Sequence, residues 1–155
     1  MLILLDIDGV MVQARSWSSP QLMEDGFAMF NNNAVKALNR IISSSGATIL
    51  LTTSHKDSYT NEQWIHLFAN RGVFVENLDR LPPNTHNLSR KQEISNWFST
   101  NGNVGDFVIL DDDKSLNGLS EYLKSRLVLT KPLIGLNDSH IEESLRILNT
   151  PLELV

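Results

Sequence analysis

The 155-residue sequence contains no cysteine. This absence excludes a disulfide framework, a thiolate zinc site and a thiol nucleophile, and it is consistent with the reducing cytosol. The chain also begins without a long hydrophobic run, because the apolar stretch MLILL leads directly into Asp6 and no basic segment precedes it. We therefore expect neither a signal peptide nor a membrane span, and we expect a cytoplasmic protein.

Basic residues are in deficit, with 13 Lys and Arg against 18 Asp and Glu and a net charge of −5. A chain with this balance has no general attraction for a phosphate backbone, so we expect no general nucleic-acid binding. The glycine-rich Walker loop and the G-x-S-x-G elbow are absent as well. In a chain that also lacks cysteine, the remaining candidate nucleophiles are a carboxylate and a metal-bound water.

The residues that are present, 41% hydrophobic and 20% charged, have the composition of an ordinary globular protein. A chain of this length buries roughly two thirds of its unfolded surface around one core. We therefore expect residues 1–155 to form a single domain.

Five short apolar runs alternate with helix-like stretches along the chain. They are typical of strands and lie at 2–6, 47–52, 73–76, 107–111 and 127–130. Their apolar character is continuous and not alternating, which indicates parallel strands buried on both faces beneath covering helices. The pattern predicts an α/β fold, a three-layer sandwich in which ligands bind beside the carboxyl ends of the strands.

Helical periodicity is clearest in three stretches between these runs. The stretches follow Asn33, Ser89 and Asp138, and each of these residues is a suitable N-cap. Helices at these places would supply the crossover connections that parallel strands require.

Residues 11–32 form the longest segment without a clear period, directly after the first predicted strand. The segment is either a flap over a site or a surface hairpin whose Trp17, Phe27 and Phe30 dock on the body of the protein. Loops carry aromatic side chains for both purposes, so the sequence leaves the two interpretations open.

The first predicted strand ends in two carboxylates, Asp6 and Asp8, followed by Gly9. Two ionised carboxylates about 4 Å apart repel by roughly 4 kcal/mol at an effective dielectric near 20, so a positive group should lie beside them. The pattern also fits an ordinary turn. A calcium loop does not fit, because Val10 stands where a third ligand is needed and Met11 where glycine is needed.

Hydroxyl groups follow the second predicted strand, at Thr52, Thr53 and Ser54. They are suited to capping the next helix. They are also suited to binding a phosphoryl oxygen together with free backbone N–H groups, since this strand should end at the same edge of the sheet as the first.

Two cations, Arg90 and Lys91, begin a predicted helix. Basic groups oppose the positive end of the helix dipole, at a cost of up to about 1 kcal/mol. The pair is therefore either a solvated feature of the helix surface or a placement that serves a function.

The fourth predicted strand ends in three carboxylates, Asp111, Asp112 and Asp113. On their own they fit a solvated loop. If the first and fourth strands are neighbours, however, four or five carboxylates meet in one pocket, and a folded domain tolerates this only around a hard divalent cation. Mg²⁺ prefers one or two carboxylates, several waters and a substrate phosphate, so the pattern predicts a Mg²⁺ site.

The order D-I-D-G-V, strand-T-T-S, R-K at a helix start and strand-D-D-D resembles the four motifs of the haloacid dehalogenase (HAD) superfamily of Mg²⁺-dependent phosphohydrolases. The R-x-x-E-I-x-x-W spacing from Arg90 to Trp97 and the tail 126–148 are similar to the HAD domains of Swiss Army Knife RNA repair proteins. The resemblance implies a Rossmannoid parallel sheet of about five strands, in the order 5-4-1-2-3, with no separate cap domain.

The resemblance also implies roles for the motif residues. Asp6 would be the nucleophile that becomes an aspartyl phosphate, and Asp8 the acid and base that serves the leaving group and the attacking water. Thr52 would bind a phosphoryl oxygen, and Arg90, or Lys91 beside it, would neutralise phosphoryl charge. Because the members that cleave carbon–halogen bonds lack the second acid, Asp8 implies a phosphatase.

Binding sites follow from the same resemblance. The implied metal-binding residues are Asp6, Asp8 through its backbone carbonyl, Asp112, and Asp111 close behind through water, with Asp113 a spectator. The implied substrate-binding residues are Gly9, Thr53 and Lys56. The implied partner is a phosphorylated substrate, either a nucleotide, a nucleic-acid end or a small metabolite.

One departure from the resemblance concerns the substrate contacts. The similar HAD domains often carry a Trp-Arg pair after the hydroxyls, where this chain has His55 and Lys56, so substrate contacts there are expected to differ.

Two other classes of protein remain open. A receiver-like phospho-signalling module also gathers acids, a hydroxyl and a lysine around Mg²⁺, although its acceptor aspartate lies on a middle strand, where this chain has Thr52 and Thr53. The other is a non-catalytic interaction scaffold that keeps the fold.

Overall fold

The computed structural model describes residues 1–15 and 19–150. Its strands are β1 (Leu2–Leu5), β2 (Thr48–Leu51), β3 (Leu78–Arg80), β4 (Phe107–Asp111) and β5 (Leu127–Leu129). Its α-helices are α1 (Asn32–Ser45), α2 (Asn61–Asn70), α3 (Arg90–Asn101), α4 (Glu121–Lys124) and α5 (Ile141–Asn149), and short 3₁₀ turns cover Lys56–Ser58, Lys114–Gly118 and Asp138–His140. None of these described helices has the combination of length and apolar character needed to cross a bilayer.

The five strands form one sheet, all parallel, in the order β3-β2-β1-β4-β5. This is the predicted order 5-4-1-2-3 counted from the other edge, so the predicted α/β fold is confirmed. In the register, Leu5 of β1 lies opposite Leu51 of β2 on one side and Leu110 of β4 on the other. Asp6, Thr52 and Asp111, which follow these three residues, therefore lie side by side at the carboxyl edge of the sheet.

Two apolar layers cover the sheet, one on each face. Alternate residues of β1 serve them, with Ile3 and Leu5 on the side of α1, α2 and α5, and Leu4 on the side of α3 and α4. All three side chains are completely buried, and burial of each contributes about 1.5–3 kcal/mol. Burial on both faces explains why the strands are continuously apolar in the sequence.

The third strand differs from its predicted position. It covers Leu78–Arg80 and not 73–76. Val73 lies in the turn that follows α2, where its N–H donates to the carbonyl of Phe68 and Gly72 before it has a φ of +83°. Phe74 is 77% exposed, which a strand buried on both faces would not allow.

The predicted helix starts are partly confirmed. Ser89 is the N-cap of α3, as predicted. The N-cap of α1 is Asn31 and not Asn33, whose N–H donates to the Asn31 side chain. Asp138 lies within a 3₁₀ turn capped by Asn137, ahead of α5. Neighbouring Asn and Asp residues cap equally well, so sequence alone does not select among them.

The segment between β1 and α1 docks on the body of the protein. Its described part has two isolated bridges, Asp8 to Val12 and Leu22 to Ala28, and no helix, so these residues build no separate cap domain. Phe30 is 5% exposed and Phe27 packs against the core of the α1 side. The expected docking of Trp17 falls outside the described residues.

Candidate functional site

The ends of β1 and β4 bring acidic side chains together at the carboxyl edge of the sheet. Asp6 follows β1, and its N–H donates to the carbonyl of Leu110 in β4 at 3.1 Å. Asp6 is 4% exposed and Asp111 is completely buried. Oxygen atoms of Asp6, Asp111 and Asp112 all lie within 4.8 Å of one another. We call these three residues the carboxylate cluster.

Arg90 supplies the positive group that this cluster requires. Its Nη1 lies 2.7 Å from Asp111 Oδ2 and 3.3 Å from Asp6 Oδ1. The guanidinium reaches this position from the first turn of α3, whose N-terminus is fixed by the Ser89 capping box. The local cost of a cation at a helix start is thus offset by two carboxylates.

One guanidinium does not balance three carboxylates. Burial raises the pKa of Asp6 from 3.8 to about 8, with the charge of Asp111 adding to the effect, while Arg90 and the Ile7 N–H oppose it. Burial likewise raises the pKa of Asp112. Burial thus disfavours the charged forms of Asp6 and Asp112, and a cation bound beside them would offset this effect.

Gly9 makes room for the cluster. A Cβ at this position would lie 2.1 Å from Asp112 Oδ2, and the φ of Gly9 is +81°, a conformation that L-residues rarely adopt. Asp112 therefore lies across the backbone just after Asp8. The donor set, carboxylates packed against a backbone turn, is the oxygen-rich type that Mg²⁺ prefers.

Asp111 and Asp113 also order the loop after β4. Asp111 Oδ1 accepts the N–H of Asp112 at 2.8 Å and that of Asp113 at 3.1 Å. The Asp113 side chain in turn accepts the N–H of Ser115 at 2.9 Å and caps the following 3₁₀ turn. Asp113 thus has a structural contact of its own, outside the carboxylate cluster.

The Asp8 side chain is separate from the cluster. It is 53% exposed, and its Oδ2 lies 2.8 Å from Nε2 of His55. Asp6 and Asp8 therefore differ sharply in environment although they are two residues apart: one carboxyl is buried among acids and the other faces solvent beside an imidazole.

The hydroxyl residues after β2 lie at the same edge. Thr52 is completely buried, and its Oγ1 has no hydrogen-bond partner among the residues that the structure describes. Buried hydroxyls are nearly always partnered, so an unpartnered one at this edge indicates a place for a polar ligand atom. Thr53 is also buried, and its Oγ1 accepts the N–H of His55 at 3.2 Å.

Within residues 1–15 and 19–150, neither predicted lysine forms an ion pair with the carboxylate cluster. Lys56 Nζ is 2.9 Å from Glu93 Oε2, with the Lys56 side chain only 3% exposed, so this ion pair joins the loop after β2 to α3. Lys91 is exposed, and its Nζ lies beside Gly118, 3.1 Å from the position of a Cβ there. Of the two cations that open α3, Arg90 is the one in contact with Asp6.

The loop after β5 holds the first acidic loop in place, which sequence reasoning missed. Thr130 is 5% exposed, and its Oγ1 donates to the Gly9 carbonyl at 2.7 Å. Leu136 N–H donates to the Val10 carbonyl at 2.8 Å, where Gly135 allows a close backbone approach. The only available signal was the position of Thr130 at the end of a predicted strand.

Comparison with known proteins agrees with this geometry. The family model described as "HAD domain in Swiss Army Knife RNA repair proteins" matches residues 2–141. The match includes every residue of the site described above and confirms the resemblance predicted from the motifs. A search of curated proteins found no match.

Proposed function

Since the chain belongs to the family of HAD domains in Swiss Army Knife RNA repair proteins, we propose that it is a Mg²⁺-dependent phosphomonoester hydrolase that forms an aspartyl phosphate on Asp6. The observation that carries this proposal is the carboxylate cluster with Arg90 against it. The unpartnered hydroxyl of Thr52 adds a place for a phosphoryl oxygen.

Mg²⁺ would be held by the carboxylates of Asp6 and Asp112 and the backbone carbonyl of Asp8, with Asp111 behind them. When bound, Mg²⁺ would neutralise charge on the transferring phosphoryl group and orient it. Three observations support this assignment: the mutual approach of the carboxylates, the raised pKa of Asp6, and the turn at Gly9 that admits Asp112.

In the first step, an ionised oxygen of Asp6 attacks phosphorus and the bond from phosphorus to the ester oxygen breaks. Asp8 gives its proton to the departing oxygen, which leaves as an alcohol. In the second step, Asp8 takes a proton from water as the water oxygen attacks phosphorus, and the bond to Asp6 breaks. Inorganic phosphate leaves, and both aspartates return to their starting states.

Arg90 and Thr52 would stabilise the phosphoryl group during both steps. Positioning and electrostatic stabilisation supply most of the catalysis in phosphoryl transfer. Arg90 is the preferred cation because it contacts Asp6, whereas Lys91 lies beside Gly118. Thr53 and Gly9 would line the substrate side, and Lys56, already paired with Glu93, would fix the loop after β2 that carries Thr53.

The substrate class is inferred from the exposure of Asp8, the family description and the net charge. The 53% exposure of the Asp8 side chain indicates a site open enough for a bulky phosphoester. The family description names RNA repair proteins, which favours a nucleic-acid substrate, whereas the net charge of −5 disfavours extended contact with a phosphate backbone. We therefore propose a terminal phosphate of a nucleotide or nucleic-acid end, ahead of a small metabolite, in a single-domain cytoplasmic enzyme.

Hydrolysis of a generic aryl phosphate with Mg²⁺ and with chelator tests the proposed function. The wild-type protein should require Mg²⁺, and Asp6→Asn should lower turnover by about 10³-fold or more. Asp113→Asn is the matched control, since it removes a carboxylate of the same acidic run and keeps a side chain that can cap the turn. Full Mg²⁺-dependent turnover by Asp6→Asn would refute the proposal.

A substrate panel then separates the classes. Nucleoside monophosphates, oligonucleotides phosphorylated at the 3′ or the 5′ end, and small sugar phosphates should be compared by kcat/KM. We expect the nucleotides or phosphorylated ends to exceed the sugar phosphates. The reverse order would assign the protein to metabolite phosphatases.

A further inference from the structure

We propose that His55 is a positioning residue for Asp8, holding one carboxylate oxygen so that the other faces the leaving group. This inference rests on the function proposed above, in which Asp8 transfers the proton. It assigns a role to a residue that departs from the Trp-Arg pattern expected at this place.

The contact itself is specific at the level of atoms. His55 Nε2 lies 2.8 Å from Asp8 Oδ2, within hydrogen-bonding distance. Among the described residues, Asp8 Oδ1 makes no hydrogen bond of its own, so it is the oxygen available to exchange a proton. With 40% and 53% of the two side chains exposed, such a pair contributes little to folding stability. Orientation of Asp8 is therefore the effect to which this contact is suited.

The backbone of His55 is fixed on both sides. Its N–H donates to Thr53 Oγ1 at 3.2 Å, and its carbonyl accepts the N–H of Ser58 at 2.9 Å. The next residue, Lys56, is buried, and its carbonyl accepts hydrogen bonds from Trp64 Nε1 at 3.1 Å and from Arg80 Nη1 at 2.9 Å. These hydrogen bonds fix the backbone from which the His55 side chain extends towards Asp8.

The imidazole ring is also held by packing. Phe27 meets it edge to face, with ring centroids 5.4 Å apart and an angle of 88° between the planes. Phe27 packs in the same way against Tyr59 and Trp64, which joins His55 to the aromatic core of the α2 side. Phe27, in the docked segment between β1 and α1, thus restrains the imidazole ring of His55.

Phe27 is in turn anchored by a buried cation. Arg71 Nη2 donates to the Phe27 carbonyl at 2.9 Å, and Arg71 Nη1 pairs with Asp25 at 2.6 Å. The Arg71 side chain is 1% exposed, so this anchor lies within the protein. A continuous set of contacts therefore runs from Asp25 and Arg71 through Phe27 and His55 to Asp8.

Leaving-group dependence distinguishes positioning from general structural support. Proton donation matters more for a strongly basic leaving oxygen, as in an alkyl phosphate, than for a weakly basic one, as in 4-nitrophenyl phosphate. The variants are His55→Ala, which removes the contact, and His55→Gln, whose side-chain amide keeps a donor near the Nε2 position. His66→Ala, at an exposed position of α2, is the matched control.

We expect His55→Ala to lower kcat/KM by about 10- to 100-fold on the alkyl phosphate and by less than about 3-fold on the aryl phosphate. His55→Gln should restore much of the loss, and His66→Ala should match the wild type on both substrates. In an Asp8→Asn background, His55→Ala should add no further loss, because the residue it positions no longer transfers a proton. Thermal unfolding checks that each variant is folded.

Three outcomes would overturn the inference while leaving the proposed function intact. These are equal losses on both substrates, no loss on the alkyl phosphate, and an additional loss of the same size in the Asp8→Asn background. A wild-type protein that hydrolyses neither phosphate with Mg²⁺ would instead refute the proposed function, and the inference with it.

Discussion

At the scale of single residues, the two aspartates after β1 show how surroundings assign different chemistry to the same side chain. Asp6 is buried beside two other carboxyls, and its pKa is raised to about 8. Asp8 is half exposed and paired with His55. These contrasting environments are suited to the two roles proposed above, cation binding with attack on phosphorus for Asp6 and proton exchange for Asp8.

The raised pKa of Asp6 predicts how stability depends on pH when no metal is bound. The folded protein keeps this proton up to about pH 8, whereas the unfolded chain releases it near 3.8, so unfolding releases a proton between these values. The stabilising effect is thus complete below about pH 4 and lost as pH rises through about 8. We expect the free energy of unfolding to fall by on the order of 1 kcal/mol per pH unit within that window.

Urea unfolding in chelator at several pH values between about 5 and 8 measures this slope. Asp6→Asn should flatten it, because the amide does not titrate. An identical slope in the wild type and the variant would show that Asp6 is not the group responsible.

Gly9 gives a second prediction at this scale. Gly9→Ala should destabilise the protein by about 1–2 kcal/mol through its positive φ and should also displace Asp112, whose Oδ2 lies 2.1 Å from the new Cβ. Gly105→Ala is the control, because Gly105 has the same φ of +81° but nothing within 4 Å of its Cβ position. Both variants should show a lower Tm, but only Gly9→Ala should lose Mg²⁺-dependent turnover. Equal turnover in the two variants would contradict the assigned position of Asp112.

At the scale of elements, the success of sequence reasoning varied with how strongly burial constrains each segment. The strands β1, β2 and β4 are buried on both faces, so their continuous apolar runs located them to within one residue. The strand β3 begins with a buried leucine followed by Asp79 and Arg80, so it carries almost no apolar signal. The third strand was therefore predicted at the more apolar run 73–76, which follows α2.

The ion pair between Asp25 and Arg71 joins the segment before α1 to the end of α2. It could not be read from the sequence, since the two residues are far apart in the chain. We expect this contact to be sensitive to acid. Hydrogen bonds from Arg71 hold the pKa of Asp25 well below its usual range, so the stabilising effect is present at neutral pH and is lost as pH falls below about 4.

Asp25→Asn should lower the free energy of unfolding at pH 7 by about 1 kcal/mol, allowing for the partial exposure of Asp25 to solvent. The difference between variant and wild type should shrink towards acidic pH. Glu24→Gln, the neighbouring exposed acid, is the matched control. Chemical denaturation at neutral and acidic pH measures both effects, and a difference independent of pH would show that the ion pair is not its source.

At the scale of the whole molecule, the parallel sheet explains why residues of four separate sequence motifs lie at one edge. The strand order places β1 between β2 and β4, so the residues after all three strands emerge at one edge. The sequence predicted this convergence and a positive group beside the first pair of carboxylates, because repelling carboxylates are informative without any structure. It left Arg90 and Lys91 as alternatives, since the direction of each side chain depends on the helix that presents it.

The contacts of His55 and Thr130 could not be predicted from the sequence, because each joins residues that are far apart in the chain. The contacts of His55 with Asp8 and of Thr130 with Gly9 join residues 47 and 121 positions apart. Histidine and threonine at such places fit packing or capping equally well. Only the fold, by placing the loops after β1, β2 and β5 side by side, distinguishes these possibilities.

Acid quenching of the protein during turnover, followed by peptide mass spectrometry, is the decisive experiment. We predict a phosphoryl group on the peptide that contains Asp6, formed only with Mg²⁺ and absent from Asp6→Asn. It should accumulate in Asp8→Asn with an aryl phosphate, because the second step then lacks its base. A phosphoryl group on another residue, or turnover with no phosphoprotein in either the wild type or Asp8→Asn, would contradict nucleophilic attack by Asp6.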